Sequence, residues 1–253
     1  MPPARIPETR PAVNAAADPK RPILPRVSMT PPSPPREAWR QRHALVYLHP
    51  QAWSSLLRDQ AWLARHALSH TWAARGWPLI ARRRSAHETD GVAVGLPFPP
   101  SAGKARIALR VRERDIARVA GLPALEQAIS TAPAAWHQHL YTLVRIAADH
   151  EIFVQVFGSL AWQHLTGLSY VTDESDLDLA WSAPRGPRLA SLLDAVARTD
   201  AAAPMRVDGE VIFADGTAAN WRELRGDASQ VILKTPAGLA LASRAQVAHM
   251  LEP

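Results

Sequence analysis

The sequence predicts an α+β fold, with a mixed β-sheet flanked by helices and preceded by a smaller α+β subdomain. Short apolar segments of strand type occur in both halves of the 253-residue chain, and amphipathic segments lie between them. One amphipathic segment aligns Trp136, Leu140, Leu143 and Ala147 in a stripe of helical spacing. Because 47% of the residues are hydrophobic, the chain can bury a sizeable core.

The first segment, residues 1–38, contains 11 of the 23 prolines, including PPSPP at 31–35. Such a composition favours extended polyproline conformations over a helix or a central strand. We therefore predict a disordered Pro-rich extension. The alternative is that translation begins at Met29.

The next segment, residues 39–115, is predicted to form the small α+β subdomain. Its elements in order are a strand at 43–48, a helix at 51–73, strands at 79–82 and 92–96, and an alternating strand at 104–111. The stretch PFPPSAG at 97–103 must be a loop, because prolines remove the donors of a strand ladder.

Residues 116–253 are predicted to form the larger domain. Its helices are expected at 123–132, 133–150, 160–168, 187–198, 219–224 and from about Ser243. Its strands are expected at 152–157, 175–181, 205–213 and 230–234. The helices with apolar stripes should pack against the sheet that these strands form.

The composition excludes several classes of site and partner. The chain has no cysteine, which rules out disulfides, thiol nucleophiles and cysteine-ligated zinc. No apolar run is long enough to span a bilayer and no secretory signal is recognisable, so we expect a cytoplasmic protein without a membrane partner. The net charge of +6 is only a mild basic bias without a strong basic stripe, so we expect no nucleic-acid partner.

Gly158 and Ser159 stand between a predicted strand and a predicted helix. The amides at such a helix start carry partial positive charge and suit a phosphate group. Glycine there lets a phosphate approach the backbone closely. Gly-Ser is also common in ordinary turns, so the pair gains meaning only from the strand that follows.

Asp176 and Asp178 lie two residues apart in the next predicted strand, so their side chains point to the same face. Two neighbouring carboxylates repel each other unless a cation offsets the repulsion. Mg²⁺ suits this pattern, because it binds one or two carboxylates together with substrate phosphates. Asp208 and Glu210 repeat the spacing on a third strand, and either could complete the site. The alternative is that all four are solvated surface charges.

The order of these elements resembles the nucleotidyltransferase superfamily of the DNA polymerase β type. A closer resemblance is to the family of malonate decarboxylase holo-[acyl-carrier-protein] synthase, the phosphoribosyl-dephospho-CoA transferase. The stretches that carry this resemblance are RHALVYLHPQAW at 42–53, WPLIARRR at 77–84, VAVGLPFPPSAGKARIAL at 92–109, FGSLAWQHLTGLSYVTDESDLDL at 157–179 and RVDGEVIFADGTAANWREL at 206–224. The resemblance covers roughly residues 40–250 and implies a nucleotidyltransferase-like fold.

The resemblance also implies an activity. Such an enzyme transfers the phosphoribosyl-dephospho-CoA group from a triphosphoribosyl precursor to a serine of the acyl carrier subunit of malonate decarboxylase. Diphosphate leaves, and Mg²⁺ is the expected cofactor. Gly158 and Ser159 would bind the triphosphate, and Asp176 and Asp178 would be catalytic metal ligands. Asp208 is our choice for the third catalytic and metal-binding carboxylate, with Glu210 as the alternative.

A departing diphosphate needs further cations, because negative charge grows on it in the transition state. We expect these from Lys104 and Arg82, with Arg84 and Lys234 as further candidates. The alternative for each is an ordinary solvated side chain.

Two other functions are compatible with the same motifs. One is a nucleotidyltransferase that acts on a different acceptor, either a small molecule or RNA. The other is a non-catalytic protein that binds a nucleotide. The presence of both aspartates, Asp176 and Asp178, argues against the second.

Overall fold

Two β-sheets with their helices make up the part of the chain described by the computed structural model, residues 42–85, 87–235 and 238–252. The predicted α+β class is thereby confirmed. The predicted Pro-rich extension at 1–38 lies outside the described residues and stays a prediction. None of the described helices has the length and apolarity needed to cross a membrane.

The first sheet has five strands in the order β4-β3-β2-β1-β5, and all neighbouring pairs are antiparallel. The strands are β1 (Leu45–Leu48), β2 (Leu79–Ala81), β3 (Val92–Pro97), β4 (Arg106–Val111) and β5 (Ile116–Ala120). The helices between β1 and β2 are α1 (Pro50–Asp59), α2 (Ala61–Ala64) and α3 (Ala67–Arg75). The sheet packs one face against these helices, where Val94 and Leu96 share a core with Trp53, Leu63 and Trp72.

The prediction of one helix at 51–73 is wrong. The backbone leaves the helical region first at Gln60, with φ −125° and ψ 79°, and the segment is divided into α1, α2 and α3. A straight helix with 3.6 residues per turn would point Trp53, Leu63 and Trp72 in different directions. With the breaks, each of the three reaches the core and is at most 1% exposed.

Strand β5 is not predicted by the sequence pattern. It pairs with β1, where Val119 lies opposite Val46, so the first sheet continues past residue 115, the predicted end of the subdomain. Its charged residue Arg118 places the guanidinium carbon 3.3 Å from the ring centroid of Tyr47. A cation–π contact of this kind stabilises the pairing of β5 with β1, although β5 has no apolar alternation.

The second sheet has six strands in the order β11-β10-β9-β8-β7-β6. The strands are β6 (Val154–Val156), β7 (Leu177–Ser182), β8 (Val207–Ile212), β9 (Ala218–Asn220), β10 (Gln230–Lys234) and β11 (Leu239–Ser243). The helices are α4 (Leu125–Ala128), α5 (His137–Asp149), α6 (Gly158–Thr166), α7 (Leu189–Ala202), α8 (Trp221–Arg225) and α9 (Arg244–His249). Strands β7 and β8 are parallel and are connected through α7, whereas the other neighbours are antiparallel.

Two helices predicted for this half are too long, and two of its strands were not predicted. The helices predicted at 123–132 and 133–150 are shorter, because 3₁₀ turns occupy Ile129–Thr131 and Ala134–Trp136. Strands β9 and β11 are not predicted by the sequence. Strand β9 has three residues, too few for a period to show, and β11 lies at the sheet edge with its leucines exposed.

The two halves are packed together through α6 and the loop that follows it. Trp162 of α6 and Tyr170 belong to the core of the first sheet. The ring centroids of Trp162 and Trp72 lie 5.8 Å apart, and the Tyr170 hydroxyl donates to the carbonyl of Pro97 at 2.7 Å. These contacts fix the start of α6 beside the first sheet.

Candidate active site

A cavity of about 450 Å³ lies where the two halves meet. The first half contributes Ile80, Gly95 and Ala108 to its lining, and the second half contributes the start of α6 with Asp178. Its volume is within the range of small-molecule sites, roughly 300–1,000 Å³. The cavity contains four of the predicted site residues outside the carboxylate set, namely Gly158, Ser159, Lys104 and Arg82.

The junction between β6 and α6 brings Gly158 against the carboxylate of Asp178. The amide of Phe157 donates to the backbone carbonyl of Asp178 at 3.0 Å, which ties the junction to β7. Helix α6 then starts at Gly158, whose φ is +64°. A Cβ atom at this position would lie 1.8 Å from Asp178 Oδ2. Only glycine permits this approach, so the first helical amides and the carboxylate share one wall of the cavity.

We expect Gly158→Ala to lower the rate of catalysis at this site by about 100-fold or more, since displacement of a reacting group by about 1 Å can have that effect. The left-handed φ of a non-glycine residue should also lower the free energy of unfolding by about 1–2 kcal/mol. Single-turnover rates and urea unfolding measure the two effects.

Gly167→Ala is the matched control for this variant. Gly167 ends α6 with a φ of +71°, but a Cβ atom there has no neighbour within 4 Å. It should lose only the stability that the left-handed φ costs, without the added cost of the clash at Gly158, and should keep the wild-type rate. Equal rates for both variants would show that the contact between Gly158 and Asp178 does not matter for catalysis.

Asp178 and Asp208 are direct neighbours across the parallel strands β7 and β8. Asp208 Oδ1 accepts hydrogen bonds from Asn220 Nδ2 and from the amide of Gly209, both at 2.9 Å. These two donors orient the Asp208 carboxylate. The register therefore brings together Asp178 and the third carboxylate preferred from the sequence.

The environment of Asp178 disfavours its charged form. Burial raises the pKa of Asp178 to about 6, and the nearby charges of Asp208 and Asp176 add to this effect, while Arg106 opposes it. A carboxylate with this surplus of negative charge around it is stabilised by a cation.

Asp176 lies just before β7 and is less enclosed than Asp178. Its side chain is 39% exposed, and its Oδ2 accepts a hydrogen bond from Arg206 Nη1 at 3.2 Å. Asp176 does not belong to the cavity lining. It is close enough to raise the pKa of Asp178, so the structure places it at the margin of the site.

Glu210, the alternative third carboxylate, is engaged by cations. Arg42 Nη2 lies 3.0 Å from Oε1 and 3.1 Å from Oε2, and Lys234 Nζ lies 2.6 Å from Oε1. His43 Nε2 lies 3.6 Å from Oε2, slightly beyond hydrogen-bond length. Burial raises the pKa of Glu210, but His43, Lys234 and Arg42 outweigh it and lower the pKa to about 2. Glu210 thus binds cations of the protein itself, whereas Asp208 lies beside Asp178.

The donor set fits a divalent cation that is completed by substrate phosphate. Among the residues that the structure describes, no three histidine or acidic side chains are grouped closely enough to hold a metal ion by themselves. Asp178 and Asp208 do lie side by side, and burial raises the pKa of Asp178, with the charges of Asp208 and Asp176 adding to the effect. Mg²⁺ commonly binds one or two carboxylates together with phosphate oxygens. A metal ion bound by Asp178 and Asp208 would therefore need phosphate oxygens as further ligands.

Two of the arginines that the sequence suggests as phosphate ligands are occupied within the protein. Arg82 lines the cavity, but its five N–H groups donate to Glu88 and to the carbonyls of Arg83, Val94 and Leu109. Arg84 donates to carbonyls of the loop before β3 and does not line the cavity. A phosphate would have to displace these partners, so the predicted phosphate-binding role of both arginines stays a prediction.

The lysine candidates also differ from each other. Lys234 is held by Glu210, whereas Lys104 lines the cavity and its side chain makes no hydrogen bond or ion pair with the described residues. Arg106, which the sequence motifs do not single out, likewise lines the cavity and lowers the pKa of Asp178. Its position two residues after Lys104 in the strand predicted at 104–111 was the available signal, because residues two apart on a strand share a face.

His43 is a further cavity residue that the sequence motifs do not single out. Its backbone has φ +60°, uncommon for a residue other than glycine. Its ring stacks on that of Phe157, with centroids 4.5 Å apart and planes inclined by 25°. His43 therefore packs against Phe157, the residue that precedes Gly158. In the sequence, only the family resemblance of residues 42–53 indicated that His43 belongs to the site.

Comparisons with known proteins agree with this architecture. Residues 41–121 match the model of the phosphoribosyl-dephospho-CoA transferase MdcG N-terminal domain, and residues 124–245 match that of the MdcG C-terminal domain. No solved structure matches the chain.

Curated relatives cover most of the chain. A phosphoribosyl-dephospho-CoA transferase of Bradyrhizobium diazoefficiens is 44% identical over 81% of this chain and 91% of its own length. One of Xanthomonas campestris is 39% identical over 80% and 94%, respectively. One of Pseudomonas putida is 32% identical over 67% and 80%.

Both family models match in sequence order, and together with these relatives they span the two halves that form the cavity. The resemblance noted in the sequence is thus confirmed. The chain is a transferase enzyme and belongs to the phosphoribosyl-dephospho-CoA transferase family.

Proposed function

We propose that this enzyme transfers the phosphoribosyl-dephospho-CoA group from its triphosphoribosyl precursor to a serine of the acyl carrier subunit of malonate decarboxylase. The observation that carries the proposal is the contact between the start of α6 at Gly158 and the carboxylate of Asp178. This contact puts amides that bind phosphate beside a carboxylate that needs a cation, which is the pairing that a polyphosphate substrate requires.

The reaction replaces a phosphoanhydride bond of the precursor with a phosphoester bond to the carrier. The Oγ atom of the carrier serine forms a bond to the phosphorus next to the ribose, and the bond from that phosphorus to the departing diphosphate breaks. Asp208, held by Asn220 and the amide of Gly209, accepts the serine proton. The diphosphate takes the electron pair of the broken bond.

Other groups of the chain bind and orient the phosphates. The amides at Gly158 and Ser159 lie at the positive end of α6 and donate to phosphate oxygens. Lys104 and Arg106 line the same cavity and offset the charge that grows on the diphosphate. When Mg²⁺ is present, Asp178 and Asp208, with Asp176 at the margin, would hold it, and it would supply neutralising charge to the phosphates.

We expect Arg106→Gln to lower the transfer rate by about 100-fold, because it removes a cation that acts on the departing diphosphate. Arg110→Gln is the matched control, since Arg110 lies on the same strand but lines a different cavity at its far end. Steady-state rates of diphosphate release compare the two. Equal loss in both variants would mean that Arg106 contributes only general surface charge.

The proposed function is tested with purified enzyme, carrier subunit, Mg²⁺ and the triphosphoribosyl precursor. Mass spectrometry should show one phosphoribosyl-dephospho-CoA group added to the carrier, with one diphosphate released per addition. A carrier whose acceptor serine is replaced by alanine should remain unmodified. Diphosphate release that proceeds with RNA or a small alcohol but not with the carrier would overturn the acceptor assignment.

A further inference from the structure

The wall that the first sheet contributes to the cavity contains a row of three residues on neighbouring strands. Ile80 of β2 lies opposite Gly95 of β3, and Gly95 lies opposite Ala108 of β4. Directly opposed residues of antiparallel strands point to the same face. All three line the cavity, so the row presents little side chain between Ile80 and the edge of β4.

Gly95 has no local backbone reason to be glycine. Its φ lies outside the left-handed region, and it sits inside β3, where glycine weakens a strand. A Cβ atom at Gly95 would lie 3.2 Å from Ile80 Cγ2, a tight contact within the cavity wall. A glycine inside a strand is found where a ligand or another backbone approaches closely. Gly95 and Ala108 thus form the floor of a shallow recess that Ile80 closes at one end.

The cavity has an aromatic side and a cationic end. Phe157 and Trp162 of the second half line it, and His43 stacks on Phe157. Arg106 follows the same alternation of β4 as Ala108, so both residues belong to one face of the strand. The recess therefore continues along β4 into the cationic end, as a nucleobase continues through its sugar into a phosphate chain.

We propose that the recess formed by Ile80, Gly95 and Ala108 binds the adenine ring of the precursor. This rests on the proposed function for the identity of the ligand. A flat floor without protruding side chains suits a rigid planar ring, and aromatic side chains supply stacking surfaces for bases. The pantetheine arm is flexible and polar at its amides, and a floor without side-chain donors or acceptors offers it no specific partner.

The recess is tested by filling it. Ala108 is exposed on its strand, so Ala108→Leu should fold normally while its side chain occupies the floor. Calorimetric titration with AMP and with dephospho-CoA should show affinity at least ten-fold weaker than for the wild type. Affinity for inorganic triphosphate with Mg²⁺ should be unchanged.

Ala117→Leu is the matched control, because Ala117 is exposed on β5, at the opposite edge of the same sheet. It should bind all of these probes as the wild type does. Unchanged AMP affinity in Ala108→Leu, weaker binding of 4′-phosphopantetheine instead, or no AMP binding by the wild type would each overturn the proposal.

The two proposals fail separately. Carrier modification by the wild type together with AMP affinity that is insensitive to Ala108→Leu would leave the function intact and remove the adenine recess. AMP affinity that falls in the variant, without carrier modification by the wild type, would support the recess and remove the acceptor.

Discussion

Asp178→Asn is expected to abolish carrier modification and, in metal-free buffer at pH 8, to make the protein more stable than the wild type. Loss of the carboxylate removes the group that lies against Gly158 and beside Asp208, so we expect the rate to fall at least about 10³-fold, the scale of losing a principal electrostatic group. The gain in stability has a separate origin, because the same carboxylate is charged, partly buried and next to like charges.

The sign follows from the pKa of Asp178, which burial, Asp208 and Asp176 raise from 3.8 to about 6 in the folded protein. A raised pKa means that the folded state binds the proton more tightly than the unfolded state. The stabilisation is fully present below the unfolded value and is lost as the pH rises through about 6. The difference corresponds to at most about 3 kcal/mol at pH 8.

Urea unfolding with EDTA at pH 5 and pH 8 measures this effect. The wild type should lose stability between the two pH values, and Asp178→Asn should lose less. Asp173→Asn, in the exposed loop before β7, is the control and should follow the wild type in both rate and stability. An asparagine variant that is destabilised at pH 8, or that still modifies the carrier, would contradict this account of the site.

Glu210→Gln is expected to show the opposite stability effect. Its side chain is 6% exposed and holds Arg42 and Lys234, so the variant leaves two cations without their partner. Breaking a buried ion pair in this way lowers the free energy of unfolding by about 3 kcal/mol. The effect should be present near neutral pH and disappear in acid, since the pKa of Glu210 is lowered from 4.5 to about 2. Its contribution is present above the unfolded value and is lost as the pH falls through the folded one.

Chemical unfolding at pH 7 and pH 2 tests this, with Glu126→Gln on the exposed face of α4 as the control. Comparison with Asp208→Asn then separates the two acidic residues of β8. The asparagine variant should lose activity with little change in stability, and the glutamine variant should lose stability first. A reversed pattern would assign the catalytic role to Glu210.

The part of the site that is local in sequence could be predicted. Gly158 and Ser159 were recognised because the strand that follows them contains the aspartate pair, and Asp178 was recognised because strand periodicity fixes its face. Asp208 was preferred to Glu210 from its position on the third predicted strand, and the register of β7 and β8 places it beside Asp178. Whether any of these residues is catalytic stays a prediction.

The part that depends on long-range partners could not be predicted. Glu210 is held by Arg42 from a position 168 residues earlier, and no pattern in either segment announces the pair. The ion pair between Arg82 and Glu88 could not be predicted either, because Glu88 lies across a loop whose course the sequence does not fix. The breaks in the helix predicted at 51–73 have the same origin, since tertiary packing of Trp53 and Trp72 outweighs helix propensity.

The ion cluster around Glu210 has a consequence for how the enzyme denatures. Arg42 and His43 come from the first half of the chain, whereas Glu210 and Lys234 come from the second. If the halves separated, the carboxylate would lose two of its three neighbouring positive or polar partners, and the cavity would lose a wall. Intermediates with one half melted are therefore disfavoured, and calorimetric heating should reveal one cooperative transition spanning both halves.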